Sequence, residues 1–152
     1  MQDNLARMVF REVIRPPLWV LAFIYFLFLS LVIAIWAALD NRSALISWIA
    51  ATLGIIAIAI RWRTEITVDD KELRIGGAHI DLKYLKEVSA LSAQEMRLMR
   101  TRDADPAAFL ALAFWIPAGV KIVLNDDRDS VPYWLISVRK SEELTRTLYR
   151  LI

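Results

Sequence analysis

Two long apolar runs near the N-terminus constrain the fold of this chain more than any other feature. They cover residues 18–39 and 44–60, contain no charged residue, and are separated only by residues 40–43. Apolar runs of about 17 to 25 residues are long enough to cross the hydrocarbon core of a bilayer as α-helices. The sequence therefore predicts a membrane α-hairpin of two transmembrane helices, which returns the chain to the side where it entered.

Basic residues around the two runs predict the orientation of the hairpin. Only Arg42 lies between the runs. The basic residues that flank them on the outside are Arg7, Arg11, Arg15, Arg61 and Arg63. Because Lys and Arg favour the cytoplasmic side, we expect a multi-pass protein with both termini in the cytoplasm. Trp62 lies among these arginines, and tryptophan is enriched at the headgroups, so the five arginines and Trp62 are candidate membrane-interface residues.

Residues 1–15 are predicted to be an N-terminal cytoplasmic or interfacial segment, followed by the transmembrane hairpin at residues 16–62. Arginines recur at a spacing of four within residues 2–15, with apolar residues between them. This spacing favours an amphipathic helix in the membrane interface, which the two prolines at 16–17 would end. A polar lead-in with orienting arginines is the alternative.

Small residues recur every four positions along both runs. Ser30, Ala34 and Ala38 form one such ribbon, and Ala50 with Gly54 forms another. Small side chains let helices approach closely in lipid, so these are candidate helix-packing residues. They either pack within the hairpin or face the membrane helix of a partner.

The pattern changes in residues 63–152 to short segments in which apolar and polar residues alternate. Turn residues such as Gly76-Gly77 separate them, and paired glycines favour a tight hairpin. Strands are predicted near residues 66–68, 73–75, 80–82, 88–90, 109–115, 120–124 and 133–138. Asp105 as a cap and Pro106 in a first turn leave open a helix at the fifth of these segments.

Two helices complete the predicted cytoplasmic domain. Ser92 and Glu95 have the spacing of a capping box, which begins a short helix through about residue 102. Ser141 is predicted to cap a C-terminal helix. The apolar positions on one face of that helix are Leu144, Leu148 and Leu151. The predicted fold is a membrane α-hairpin plus a small, mainly-β, pleckstrin-homology-like (PH-like) barrel or split sandwich closed by the C-terminal helix, with an unrelated α+β domain as the alternative.

The chain has few residues of the types that act in catalysis or bind metal ions. The chain has no cysteine and one histidine, His79, without the acidic or histidine neighbours that a metal or catalytic role requires. Asp126, Asp127 and Asp129 lack the glycine and the distal glutamate of a calcium loop. Residues 61–152 carry 15 Lys and Arg against 14 Asp and Glu, which gives no basic stripe for nucleic acid. We therefore expect no catalytic residue, cofactor, metal or nucleic-acid partner.

Two surface features suggest contact with lipid. The first is a set of basic residues on the short predicted helix, namely Arg97, Arg100 and Arg102. The second is the segment 114–117, where Trp115 and Ile116 lie beside a turn and could enter the headgroup layer. The alternatives are an ordinary solvated helix face for the arginines and a core position for the aromatic residues.

Three stretches resemble an actinobacterial two-span membrane protein family of unknown function, domain of unknown function family 3093. They are FREVIRPPLWV at 10–20, TRDADPAAFLAL at 101–112 and VPYWLISVRKSEEL at 131–144. The resemblance implies two spans and a small cytoplasmic domain, here interpreted as PH-like, in a bacterial inner (plasma) membrane. It implies no activity.

These features together predict a non-catalytic, membrane-anchored interaction or scaffold protein, such as an accessory subunit of a larger membrane complex. The expected partners are the lipid bilayer and either a membrane protein or a second copy of the chain. The alternative function is a membrane sensor in which the PH-like domain binds anionic lipid through the α-helical arginines and Trp115.

Overall fold

The computed structural model describes residues 8–125 and 130–152, which form two compact units. Residues 8–14, 64–125 and 130–152 form one unit, here called the sheet unit. Residues 15–63 form the other, here called the helical unit. The helical unit is thus inserted in the chain between the first strand of the sheet unit and the rest of it.

The helical unit contains two helices, α1 (Leu18–Ala38) and α2 (Asn41–Arg61). Each has 21 residues, and the most apolar windows have mean hydropathies of 2.8 and 2.2, so both are long and apolar enough to cross a membrane. α2 begins three residues earlier than predicted. The reason is Asp40, whose Oδ1 accepts a hydrogen bond from the Ser43 N–H at 2.8 Å and caps the helix.

Side-chain hydrogen bonds join α1 and α2 at two levels. The Tyr25 hydroxyl lies 3.3 Å from Thr52 Oγ1 and accepts a bond of 3.1 Å from Trp48 Nε1. Closer to the turn, Trp36 Nε1 donates to Asn41 Oδ1 at 2.7 Å. Because each polar group finds its partner across the hairpin, these bonds favour the paired helices in an apolar surrounding.

The first sheet of the sheet unit is an antiparallel meander in the order β1-β2-β3-β4. Its strands are β1 (Phe10–Ile14), β2 (Thr64–Val68), β3 (Glu72–Ile75) and β4 (Ala78–Asp81). Gly76, with φ of 59°, turns β3 into β4 in the left-handed conformation that glycine adopts without strain. The three predicted strands near residues 66, 73 and 80 are confirmed.

The predicted interfacial helix is wrong for residues 10–14, which form β1. This strand pairs with β2 so that Phe10 lies opposite Val68 and Ile14 opposite Thr64. Phe10 and Ile14 are each 4% exposed in the core, which a helix at the membrane surface would not provide. The arginine spacing of four suggested a helix, but pairing with a strand 50 or more residues later decides the structure.

The second sheet has the order β5-β7-β8-β6. Its strands are β5 (Leu85–Leu91), β6 (Phe109–Ala111), β7 (Gly119–Leu124) and β8 (Tyr133–Ser137). β6 pairs parallel to β8, where the Phe109 and Trp134 rings pack with centroids 4.5 Å apart. The predicted strand at 109–115 is therefore shorter than expected. The predicted closed barrel is not found among the described strands, which divide into two separate four-stranded sheets.

One apolar core joins both sheets and α4 (Ser141–Tyr149), whose Leu144 and Leu148 are fully buried. α3 (Ala93–Arg100) packs on the other face of the second sheet, where Met96 contacts the cluster of Tyr133 and Leu135. β8 is consequently buried at all five positions. The sheet unit is layered, with the second sheet between α3 and the shared core.

The two short helices begin in different ways. The capping box of Ser92 and Glu95 at the start of α3 is confirmed. Ser141 begins α4, but no side chain of that helix caps it. Just before α4, the Glu12 carboxylate of β1 accepts hydrogen bonds from the N–H groups of Arg139 and Lys140 at 3.0 and 3.3 Å. β1 thereby ties the first sheet to the start of α4.

Candidate functional site

The small residues of α1 lie on the outside of the hairpin. Ser30, Ala34 and Ala38 are exposed, and we call them the outer ribbon. The Ser30 hydroxyl donates to the carbonyl of Phe26 in its own helix at 3.0 Å. Because the ribbon is turned away from α2, its small side chains leave room for another helix to approach.

The small residues of α2 are placed differently. A Cβ built on Gly54 would lie 3.5 Å from the Phe28 ring of α1, so this glycine packs within the hairpin. Ala50 and Gly54 line a groove of about 310 Å³ with Phe28, Val32 and other apolar residues. Gly54 therefore packs within the hairpin, whereas the outer ribbon of α1 faces outward.

The arginines that flank the helices differ in their surroundings. Arg15, Arg61 and Arg63 are exposed, and none of them forms an ion pair with any residue in 8–125 or 130–152. Arg11 lies on β1 and pairs with Glu65 at 2.6 Å. Trp62 is 38% exposed. Arg7 lies outside the described residues. The flanking arginines without an ion pair to a described residue are therefore Arg15, just before α1, and Arg61 and Arg63, at and just after the end of α2.

The three arginines near α3 do not form one cationic face. Arg100 Nη2 donates to Ser137 Oγ at 2.7 Å and to the Ile116 carbonyl at 3.3 Å. Burial lowers the pKa of Arg100, because desolvation disfavours its charged form. Arg102 pairs with Asp103 at 3.1 Å, and Arg97 is exposed. Arg100 thus donates a hydrogen bond to the fully buried hydroxyl of Ser137 inside the sheet unit.

The segment 114–117 divides between core and surface. Ile116 is 2% exposed and belongs to the core, and Trp115 packs against the same cluster. The Ile116 N–H donates to the Ala113 carbonyl at 2.9 Å, which folds the segment back on itself. Phe114 is the outward residue at 63% exposure, with its ring edge to face with Trp115 at 4.8 Å. Ile116 is therefore not part of an exposed tip.

Sequence reasoning missed two exposed leucines beside Phe114. Leu110 and Leu112 are 50% and 39% exposed, and together with Phe114 they form a row that we call the edge ribbon. Small or core-packed residues alternate with them in the sequence FLALAF at 109–114. Large outward residues thus alternate with inward residues at the two-residue period of an extended strand. This alternation could have identified the ribbon from the sequence.

The described residues include no group of three or more histidine, cysteine, aspartate or glutamate side chains placed to hold a metal ion. His79 is exposed on β4, opposite Arg74 on β3. The calcium-loop alternative concerned Asp126, Asp127 and Asp129, which lie outside the described residues.

An open groove of about 820 Å³ crosses the surface between the end of β4 and the residues after α4. Asp70, Lys71, Asp81, Lys83 and Lys86 contribute its charges. Lys83 Nζ bonds Asp81 at 2.9 Å, and this contact raises the pKa of Lys83. Because lysines and aspartates alternate and partly neutralise one another, the groove does not favour an anion strongly.

Comparison with known proteins gives one match. The sequence model of a family described as "Protein of unknown function (DUF3093)" matches residues 9–148, from the start of β1 to the last turn of α4. No curated protein and no solved structure matches the chain. The match therefore spans the helical unit and the sheet unit together.

Proposed function

Because the chain belongs to the DUF3093 family, whose description assigns no activity, we propose its function from the surfaces of its two units. It is a non-catalytic, membrane-anchored interaction protein. The helical unit spans a bilayer, the sheet unit lies in the cytoplasm, and a partner's membrane helix docks on the outer ribbon of α1.

The surfaces of α1 and α2 support the membrane anchor. Of their most apolar windows, only 6% and 0% of residues are buried. Large side chains such as Phe23, Phe26 and Ile33 are 59%, 64% and 62% exposed. Water-soluble proteins do not leave apolar surfaces of this extent uncovered, whereas a bilayer covers them.

The outward position of the outer ribbon carries the interaction proposal. In lipid, helix association depends on close packing of small residues, because the apolar effect that joins helices in water is absent. The hairpin already uses Gly54 and its hydrogen bonds for internal packing. The outer ribbon is not needed there, and it fits a membrane helix of another protein or of a second copy, as in an accessory subunit of a larger complex.

The flanking arginines support the cytoplasmic orientation. Arg15, Arg61 and Arg63 lie at the open end of the hairpin, against Arg42 alone at its turn. This excess supports an orientation with the open end and both termini in the cytoplasm, because basic residues prefer that side. The membrane is then the inner (plasma) membrane of a bacterium, as the resemblance implies.

The alternative function, sensing of anionic lipid by the α3 arginines, has less support. Arg100 faces the interior, and the exposed Arg102 is paired with Asp103, so Arg97 is the exposed arginine of the three that has no ion pair with a described residue. The PH-like assignment of the sheet unit is also a proposal. Its two sheets and C-terminal helix support the assignment, whereas the parallel pairing of β6 with β8 is not expected from it.

Photo-crosslinking in native membranes tests the interaction proposal. A diazirine amino acid replaces Ala34, and the matched control replaces Ile33, which is also exposed but lies about 100° around α1. We expect a discrete adduct from position 34 and little from position 33, with its mass separating a second copy from another protein. Equal adducts at both positions, or lipid adducts alone, would contradict docking on the outer ribbon.

A further inference from the structure

The edge ribbon is an apolar surface that the sheet unit does not cover. Leu110, Leu112 and Phe114 point outward along β6 and the residues after it, while Phe109 packs inward on Trp134. No charged residue occurs in residues 106–120. The ribbon and the residues next to it in the chain are therefore uncharged.

The edge ribbon lies next to the place where the chain leaves the sheet unit. Leu110 and Leu112 line a groove of about 190 Å³ together with Ile14, the last residue of β1, and Thr64, the first of β2. The chain from Ile14 to Leu18 can span at most about 14 Å, and that from Arg61 to Thr64 about 11 Å. Once α1 and α2 cross a bilayer, Ile14 and Thr64 therefore lie within these distances of the helix ends.

We propose that the edge ribbon inserts into the boundary between headgroups and acyl chains of the bilayer that holds the hairpin. This inference rests on the proposed membrane anchor. Interfacial membrane contacts combine apolar and cationic side chains, and the chain carries exposed arginines at positions 15, 61 and 63, close in sequence to Ile14 and Thr64. β6 has only three residues, which offers few backbone groups to a partner strand and so favours lipid over an added strand.

Spin labelling tests this placement, and the absence of native cysteine makes single labels specific. The full chain with Leu112→Cys is labelled with a nitroxide in nanodiscs of mixed zwitterionic and anionic lipid. The matched control is Arg146→Cys on the exposed face of α4, and the lipid reference is Ile33→Cys on α1. Power saturation then compares collisions with oxygen, which concentrates in lipid, and with a nickel chelate, which stays in water.

We expect the Leu112 label to collide several-fold more with oxygen, relative to the nickel chelate, than the Arg146 label does. Phe114→Cys, at the most exposed position of the ribbon, should behave the same if Leu112→Cys folds poorly. A water-like Leu112 label beside a lipid-like Ile33 label would overturn the inference and leave the anchor intact. A water-like Ile33 label would overturn both. Low accessibility to both reagents at Leu112 would mean that protein covers the ribbon, which also contradicts lipid insertion.

Discussion

Gly119 is the position where a single added carbon should damage the sheet unit most. It begins β7 and pairs with Ser137 of β8, under the side chain of Met96 from α3. A Cβ at this position would lie 2.3 Å from the carbonyl oxygen of Ile136 and 2.6 Å from Met96 Cε. The methionine can move aside, but the oxygen belongs to the backbone of a central strand. Gly119→Ala therefore requires β7 and β8 to separate.

The expected loss of stability follows from the steric overlap between the added Cβ and the Ile136 carbonyl oxygen. Overpacking of a well-packed core costs about 1 to 3 kcal/mol, and occasionally more. Because the blocking atom is in the backbone, we expect about 3 kcal/mol for Gly119→Ala. A domain of 60 to 100 residues loses about 4 to 8 °C of Tm per kcal/mol, so the midpoint should fall by about 12 °C or more.

Thermal unfolding of the full chain in mild detergent, followed by near-UV circular dichroism, measures this change. Gly77→Ala is the matched control, since nothing lies within 4 Å of the Cβ it would add. The control should change stability by less than about 1 kcal/mol. A Gly119→Ala protein that unfolds within a few degrees of the wild type would show that the β7–β8 and α3 packing described above is incorrect.

Three further substitutions test individual contacts. Arg100→Met leaves the buried hydroxyl of Ser137 without its donor, and should cost about 1 to 3 kcal/mol in the same thermal assay. Glu12→Ala removes the acceptor of the Arg139 and Lys140 N–H groups and should cost about 1 kcal/mol, with faster amide hydrogen exchange at those two residues. The pKa of Glu95 lies below its usual value because Ser92 donates hydrogen bonds to its carboxylate. The ionised carboxylate therefore stabilises the folded chain. This contribution is complete above the ordinary pKa of about 4.3 and is lost as pH falls through the lowered pKa. Glu95→Gln should flatten the fall in Tm over that acidic range, and an unchanged profile would contradict the contact.

The elements that sequence predicted correctly are those determined by local pattern. The two apolar helices, the capping box at Ser92 and the alternating strands each depend on residues close together in the chain. β1 was missed because its partner β2 follows the whole hairpin, and nothing within residues 10–14 signals that pairing. The same reason applies to the contacts of Glu12 with Lys140 and of Arg100 with Ser137, which join residues 128 and 37 positions apart.

For the candidate surfaces too, the sequence predicted what depends on local pattern and missed what depends on contacts between distant residues. The outer ribbon was visible as a spacing of four, but its outward direction depends on which face of α1 meets α2. Ile116 was expected at an exposed tip because it follows two aromatic residues, whereas the turn from Ala113 folds it into the core. The edge ribbon was detectable in the alternation of residues 109–114, although its position beside Ile14 and Thr64 required the structure.

Every proposal above depends on the two helices crossing a membrane as a hairpin, and side-specific cysteine labelling tests this directly. Arg42→Cys, in the first turn of α2, and Glu142→Cys, on the exposed face of α4, are introduced singly into the cysteine-free chain. Intact cells are treated with a maleimide that cannot cross the membrane, and the labelling is repeated after lysis. We predict that Arg42→Cys is labelled in intact cells and Glu142→Cys only after lysis. Labelling of both positions under the same condition would place them on one side and contradict the membrane hairpin.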